Sequence, residues 1–184
     1  MNINEIISEA DMLVPNEVPI GDKVIWLNAL NQDFFNVVKI PKIAKFDCVT
    51  GQGDYVLPAD VRQKNIDLMM IGMFPYKSLD RDDVTPAQNA YSFDDVTKTL
   101  SLFPAPYSNL KGFLRYRRIA TTLFTSTALT VPPDAPEEYH WTFIPALASM
   151  LASSQDDMTK ASNYENQYKA AWNVAAQNYQ AGAS

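Results

Sequence analysis

Ala90-Tyr91-Ser92-Phe93-Asp94-Asp95-Val96-Thr97-Lys98-Thr99-Leu100-Ser101-Leu102-Phe103 decides the fold class. Ala90–Phe93 and Thr99–Phe103 place apolar and polar side chains on opposite faces, which is the period of a strand with one face buried. The polar run Asp94–Lys98 between them reads as a hairpin connection. The middle of the chain is therefore sheet, and Pro104-Ala105-Pro106 breaks its edge.

Further strands flank this hairpin. Gly112–Arg118 alternates, with Phe113, Arg115 and Arg117 on one side and Leu114 and Tyr116 on the other. Thr121–Val131 is Thr-rich and is expected to extend the sheet. Upstream, Ile66–Met73 is the most apolar run of the middle and reads as a largely buried strand, with helix as the alternative. Ala44–Val49 and Tyr55–Leu57 read as strands joined by the turn residues Gly51-Gln52-Gly53-Asp54. Asp60 is placed as the cap of a short turn over Val61–Gln63. Residues 77–89, with Asp80, Asp82, Asp83 and Pro86, read as an exposed loop.

The two ends of the chain are helical. Ile3, Ile6, Ile7 and Ala10 recur at helical spacing over residues 2–12, and Pro15 and Pro19 follow them. A second helix is expected with Asp22 as its N-cap and Val24, Leu27, Leu30, Phe34, Val37 and Val38 as its apolar face, stopped by Pro41. After Pro132, Pro133 and Pro136, the residues Tyr139, Phe143, Ile144, Leu147, Met150 and Leu151 supply a third apolar face. Pro145 either kinks that helix or marks its true start. Asp156 or Asp157 opens the last helix, in which Ala161, Tyr164, Tyr168, Ala171, Trp172 and Ala175 follow a period near 3.5. The expected fold is α+β: residues 1–41 and 132–184 form one helical bundle, and 42–131 form a β-rich insert projecting from it.

Composition limits the chemistry. The 184 residues are 47% hydrophobic and 20% charged, which fits a globular chain with a sizeable core. The net charge of −6 disfavours a dedicated reader of nucleic-acid phosphates, while suiting a surface past which DNA slides without sticking. Lys111, Arg115, Arg117 and Arg118 form the one basic cluster and read first as a solvated strand edge. His140 is the single histidine and Cys48 the single cysteine. They lie far apart in sequence, so a Cys–His nucleophile is not expected, and zinc lacks its four ligands. Cys48 reads as a buried thiol in a reducing compartment. Asp80–Asp83 and Asp94–Asp95 do not follow an EF-hand loop, and no phosphate loop is present. No signal-peptide pattern and no run of roughly 18 apolar residues occurs. No cofactor, metal site or catalytic residue is expected.

Several stretches together carry a family resemblance. Trp26-Leu27-Asn28 lies in the second helix. Gly53-Asp54-Tyr55-Val56-Leu57-Pro58-Ala59-Asp60 has a Y-x-L-P-x-D step after the first strand, and Leu102-Phe103-Pro104-Ala105-Pro106 follows a later one. Pro132-Pro133-Asp134-Ala135-Pro136-Glu137-Glu138-Tyr139-His140 leads into a helix and then a final helix with spaced tyrosines. In this order they resemble the head-to-tail adaptor (connector) proteins of tailed bacteriophages, with Pro145 departing from a plain helix.

The resemblance implies a non-enzymatic virion protein at the head–tail junction, made in the host cytoplasm. It implies a ring, commonly of twelve copies, with the portal protein on one face and a tail or stopper protein on the other. DNA passes through the bore without specific binding, and no membrane is involved. A terminal segment often reaches the portal in such proteins, which the Ala- and Gln-rich C-terminus suits. The expected partner-binding residues are Tyr164, Tyr168, Trp172 and Tyr179 on the last helix, and Arg115 and Arg117 on the strand. The first four read first as core residues against the other helices, with a docking face as the alternative. Two other functions fit the composition. One is a small-molecule or carbohydrate-binding module using Phe74, Tyr76, Tyr91, Phe93 and Tyr107. The other is an enzyme using the carboxylates of Asp80–Asp83 or Asp94–Asp95.

Overall fold

In the computed structural model, which describes residues 1–79 and 88–181, helix α1 (Ile3–Leu13) starts at Asn2. The Asn2 side chain accepts from the Glu5 N–H at 2.9 Å, and Glu5 accepts from the Asn2 N–H at 3.0 Å. This reciprocal cap satisfies two groups that a helix start leaves open. The Ile3 and Asn4 N–H groups donate instead to the carbonyls of Val131 and Leu129. Ile3, Ile6, Ile7 and Ala10 are all buried, as their spacing predicts.

Helix α2 (Ile20–Val38) begins one turn earlier than its sequence suggests. Pro19 occupies the cap position and its carbonyl accepts from the Asp22 N–H at 3.1 Å, so Asp22 lies inside the first turn rather than capping it. Its carboxylate still faces the positive end of the helix dipole. The buried face also differs from expectation. Val37 is exposed, whereas Phe35, Lys23 and Asn31 are buried. Both polar side chains are inside because each has a partner: Lys23 Nζ meets both Asp11 oxygens, at 2.7 and 2.8 Å, and Asn31 meets Asp134.

After a 3₁₀ segment over Glu137–Thr142 comes α3 (Phe143–Ser154), followed by α4 (Met158–Ala181). Pro145 is the third residue of α3, where no backbone donor is required, so it marks the helix start and not a kink. Asp157 Oδ1 accepts from the Lys160 N–H at 3.0 Å and caps α4. Helix α3 packs against α1, α2 and α4. Phe34, Phe143 and Trp172 stack at its centre, with ring centroids 5.5–6.1 Å apart. Each such fully buried side chain adds roughly 1.5–3 kcal/mol.

Residues 1–39 and 120–184 form one compact unit, and residues 40–119 form a second. The segment Thr121–Val131 contains no strand and does not extend the sheet. Its anchors are amide side chains of α2. Asn28 Oδ1 accepts from the Phe124 N–H at 2.8 Å, and Asn28 Nδ2 donates to the Phe124 carbonyl at 3.0 Å. With its backbone groups engaged in this way, Phe124 buries its ring in the helical unit.

Within the second unit the described strands are β1 (Pro41–Cys48), β2 (Asp54–Val56), β3 (Ile66–Ile71), β4 (Phe74–Ser78), β5 (Ala90–Asp94), β6 (Thr99–Phe103) and β7 (Leu110–Arg117). They form a curled seven-stranded sheet in the order β1-β7-β3-β4-β5-β6-β2. All pairings are antiparallel except β4 with β5. Lys77 and Ser78, expected in a loop, belong to β4 and pair with Ala90 and Tyr91. Residues 80–87 of that expected loop, including Asp80, Asp82, Asp83 and Pro86, lie outside the described residues.

The inner face gathers Met69, Ile71, Tyr91, Phe93, Leu100, Leu102, Leu114 and Tyr116 into one core. Gly112 lies opposite Phe46 in the β1–β7 pair, and a Cβ there would overlap the Phe46 ring. The absent side chain is what lets that ring fold inward against Tyr55, 5.2 Å away. Asp60 does not cap a turn; the short 3₁₀ turn is Gln63–Asn65. Instead Asp60 is buried and accepts from the Tyr116 hydroxyl at 2.9 Å and from Lys42 at 2.7 Å.

Candidate docking surfaces

The last helix divides its aromatic residues by depth. Trp172 is 2% exposed, and its Nε1–H donates to Thr142 Oγ1 at 2.9 Å. Tyr164, Tyr168 and Tyr179 are half-buried. The Tyr168 ring meets Trp172 edge-on at 4.8 Å. Burial raises the Tyr168 phenol; Lys169 opposes this, while Glu165 and Asp33 reinforce it. Tyr168 also lines a groove of about 480 Å³ with Trp26, Met150 and Met158. Small residues, Ser149, Ala161 and Ser162, form other parts of its wall and keep it open.

Arg115 and Arg117 are exposed on β7. Arg115 lies opposite Ile43 of β1 and Leu68 of β3. Arg117 pairs with Asp67 at 3.0 Å, across a register shift between Ile66 and Leu68. Lys45 lies opposite Phe113 on the same outer face, and Lys111 is paired with Asp47. This face therefore mixes cations with the exposed Ile43 and the half-buried Phe113, Leu68 and Met70. Arg115 and Arg117 come together on it, while the tyrosines of α4 belong to the other unit.

A cleft of about 430 Å³ lies between β1 and the Val56–Pro58 segment, with Tyr116 in its wall. These are the two edges of the curled sheet. Burial, followed by the hydrogen bond to Asp60, pushes the Tyr116 phenol well above its ordinary range. None of Phe74, Tyr76, Tyr91, Phe93 and Tyr107 lines this cleft. Tyr91 and Phe93 are buried in the sheet core, whereas Phe74 and Tyr107 are exposed.

The remaining reactive groups have structural partners. His140 is buried, with Nε2 2.7 Å from the Ala135 carbonyl and Nδ1 3.4 Å from the Met1 amine. Burial raises the Cys48 thiol, against a lowering contact from Tyr55, so its nucleophilic form is suppressed. Asp94 accepts from the Val96 N–H and the Thr97 hydroxyl, each at 2.8 Å, and these bonds lower its carboxyl. Asp95 accepts from the Gln63 N–H at 3.0 Å. Among the described residues no three His, Cys, Asp or Glu side chains group to hold a metal, and no helix is long and apolar enough to cross a membrane.

Trp141 is 51% exposed beside the exposed Glu137 and Glu138, and it was not singled out from the sequence. A signal was present: Trp141 lies midway between Tyr139 and Phe143, off the apolar face they share. Asn28 figures in the sequence only within Trp26-Leu27-Asn28 and Asn31 carries no signal of its own, although both hold the segment that leads into α3.

The polar clusters fasten one segment of chain to another, and several aromatic and cationic side chains stay exposed or half-buried outside them. The family model of the SU10 adaptor protein matches residues 1–184, and the class it defines is a bacteriophage structural protein located in the virion. The chain belongs to the SU10 adaptor protein family, that of a phage head-to-tail adaptor. No curated protein matches the chain.

Proposed function

We propose that this chain is a non-enzymatic head-to-tail adaptor that closes into a ring, docks on the portal and connects it to the tail, with DNA passing through the bore. The single observation that carries this reading is the family match over the whole chain. The helical unit acts as the part that seats the subunit, and the curled sheet offers a second contact surface. Partner contacts, with neighbouring copies as well as with portal and tail, fall on Tyr164, Tyr168 and Tyr179 of α4, with Trp172 fixed behind them, and on Arg115 and Arg117. Half-buried aromatics beside a groove supply contact area at low entropic cost. The acidic balance of −6 keeps a lumen from holding DNA.

The test is to mix the purified chain with the portal ring of its phage and image the product. A ring of adaptor density on one portal face is expected. Failure to bind portal and tail components alike, over a range of concentrations and salt, overturns the reading.

A further inference from the structure

Charge is not shared evenly between the two units. Residues 40–119 carry 11 Lys and Arg against 9 Asp, a net of +2, while residues 1–39 and 120–184 carry 4 against 12 acids, a net of −8. Every Glu of the chain lies in the helical unit. Each unit also exposes apolar surface beside its characteristic charge. On the sheet this is Ile43 between Lys45 and Arg115. On the helical unit it is Trp141, three and four residues after Glu138 and Glu137 in a 3₁₀ segment where side chains three apart lie one above the other.

From this complementarity we infer that the outer face of β1 and β7 receives the Glu137–Trp141 turn of a second copy. The interface rests on the ring reading above and gives it a specific subunit contact. The chemistry on the two sides matches. Glu138 and Glu137 meet Lys45 and Arg115, and the Trp141 ring lies against Ile43 with an Arg115 guanidinium over its face, the geometry of a cation–π contact. Exposed Trp and Arg are the residue types that dominate interface energetics. A contact between two different patches is heterologous, so each copy keeps one free donor patch and one free acceptor patch until the assembly closes. The long-range attraction between a −8 unit and a +2 unit also orients the encounter and weakens with salt. The apolar centre of the sheet face favours a protein occupant over a nucleic-acid backbone, which needs cations without Ile43 and Phe113 among them.

The test uses Glu138→Arg, Arg115→Glu and the double variant in the full chain. Self-association is read by sedimentation over a concentration series and by imaging on the portal ring, with thermal melting to confirm folding. Each single reversal is expected to weaken association by about tenfold or more, and the double variant to recover to within about threefold of the parent. Trp141→Ala, which leaves the charges in place, is expected to weaken it similarly. If the parent closes a ring and both single reversals close it equally well, this interface is wrong and the ring stands. If the parent associates in no condition, the ring reading falls and this contact falls with it. If Arg115→Glu leaves the ring intact but lowers DNA retention, the sheet face meets DNA and the inference is overturned.

Discussion

Asn31 and Asp134 exchange hydrogen bonds across 103 residues of chain: Asn31 Nδ2 donates to Asp134 Oδ2 at 2.9 Å, and the Asp134 N–H donates to Asn31 Oδ1 at 3.1 Å. The same carboxylate accepts from the Thr121 and Thr122 N–H groups at 2.9 and 2.8 Å, and from the Thr122 hydroxyl at 2.8 Å. One side chain thus ties the entry and the exit of the 121–134 segment to the buried middle of α2. Asp134→Ala removes the acceptor from several donors at once and is expected to cost about 3 kcal/mol. Asn31→Ala is expected to cost about 2 kcal/mol. The two losses should fall short of additive by at least about 1 kcal/mol in a double-mutant cycle of denaturant melts. Fully additive losses would show that the pair does not act as a unit.

The same cluster sets an acid limit. Burial alone would raise the Asp134 carboxyl, but the hydrogen bonds from Thr122, Asn31 and Thr121 outweigh it, and the net shift is downward from 3.8. A carboxyl depressed in the folded state adds stability that is fully present above its unfolded value. That contribution is lost as pH falls through the folded value, because the unfolded chain then binds more protons. Stability should therefore decline below about pH 4 more steeply in the parent than in Asp134→Asn, as followed by urea midpoints from pH 6 to pH 2.5. Parallel curves for the two proteins would remove Asp134 from the account.

Gly112 is expected to resist replacement for a steric reason. A Cβ at Gly112 would sit 2.6 Å from Phe46 Cε1, far inside contact distance, and Gly112 is itself buried. Gly112→Ala should destabilise the sheet unit by about 1–3 kcal/mol. Adding Phe46→Leu should recover part of that loss, because it removes the ring edge that the new methyl strikes. Thermal melts of both variants decide it: a double variant no more stable than Gly112→Ala alone would exclude the ring as the obstacle.

Much of the fold was legible because periodicity is local. The 3.6-residue repeat of Ile3, Ile6, Ile7 and Ala10 located α1, and the alternation of Leu100 and Leu102 with Ser101 located β6. What was illegible depended on partners distant in sequence. Asn31 looks like surface until Asp134 is beside it, and Lys23 until Asp11 is. Thr121–Val131 has strand composition, yet its backbone is engaged by Asn28 and by the start of α1. Strand β4 was missed because Phe74-Pro75-Tyr76-Lys77-Ser78 has a proline within it and little burial to betray it. The candidate surface was legible only in part. The helical spacing of Tyr164, Tyr168 and Trp172 placed them near one face, but only packing separates the buried indole from the half-exposed phenols. Trp141 stood out only once its exposure was seen.

Trp172 offers the sharpest check on how deep that separation runs. Its ring contacts Phe34, Phe143 and Tyr168, and its N–H reaches Thr142, whose own hydroxyl donates to the Tyr139 carbonyl at 2.6 Å. Trp172→Ala opens a cavity among these rings and is expected to cost about 3–5 kcal/mol. Trp172→Phe keeps an aromatic ring and leaves Thr142 its carbonyl partner, so its cost should be smaller, about 1–2 kcal/mol. Fluorescence gives an independent readout, since the chain has three tryptophans and Trp172 is the most buried of them. In Trp172→Phe the remaining emission comes from the half-buried Trp26 and the exposed Trp141. It should shift to longer wavelength and become more accessible to acrylamide. An unshifted spectrum with a loss below about 1 kcal/mol for Trp172→Ala would mean that the indole is not the packed centre of the helical unit, and the tyrosines of α4 would then lack the rigid backing that a docking face requires.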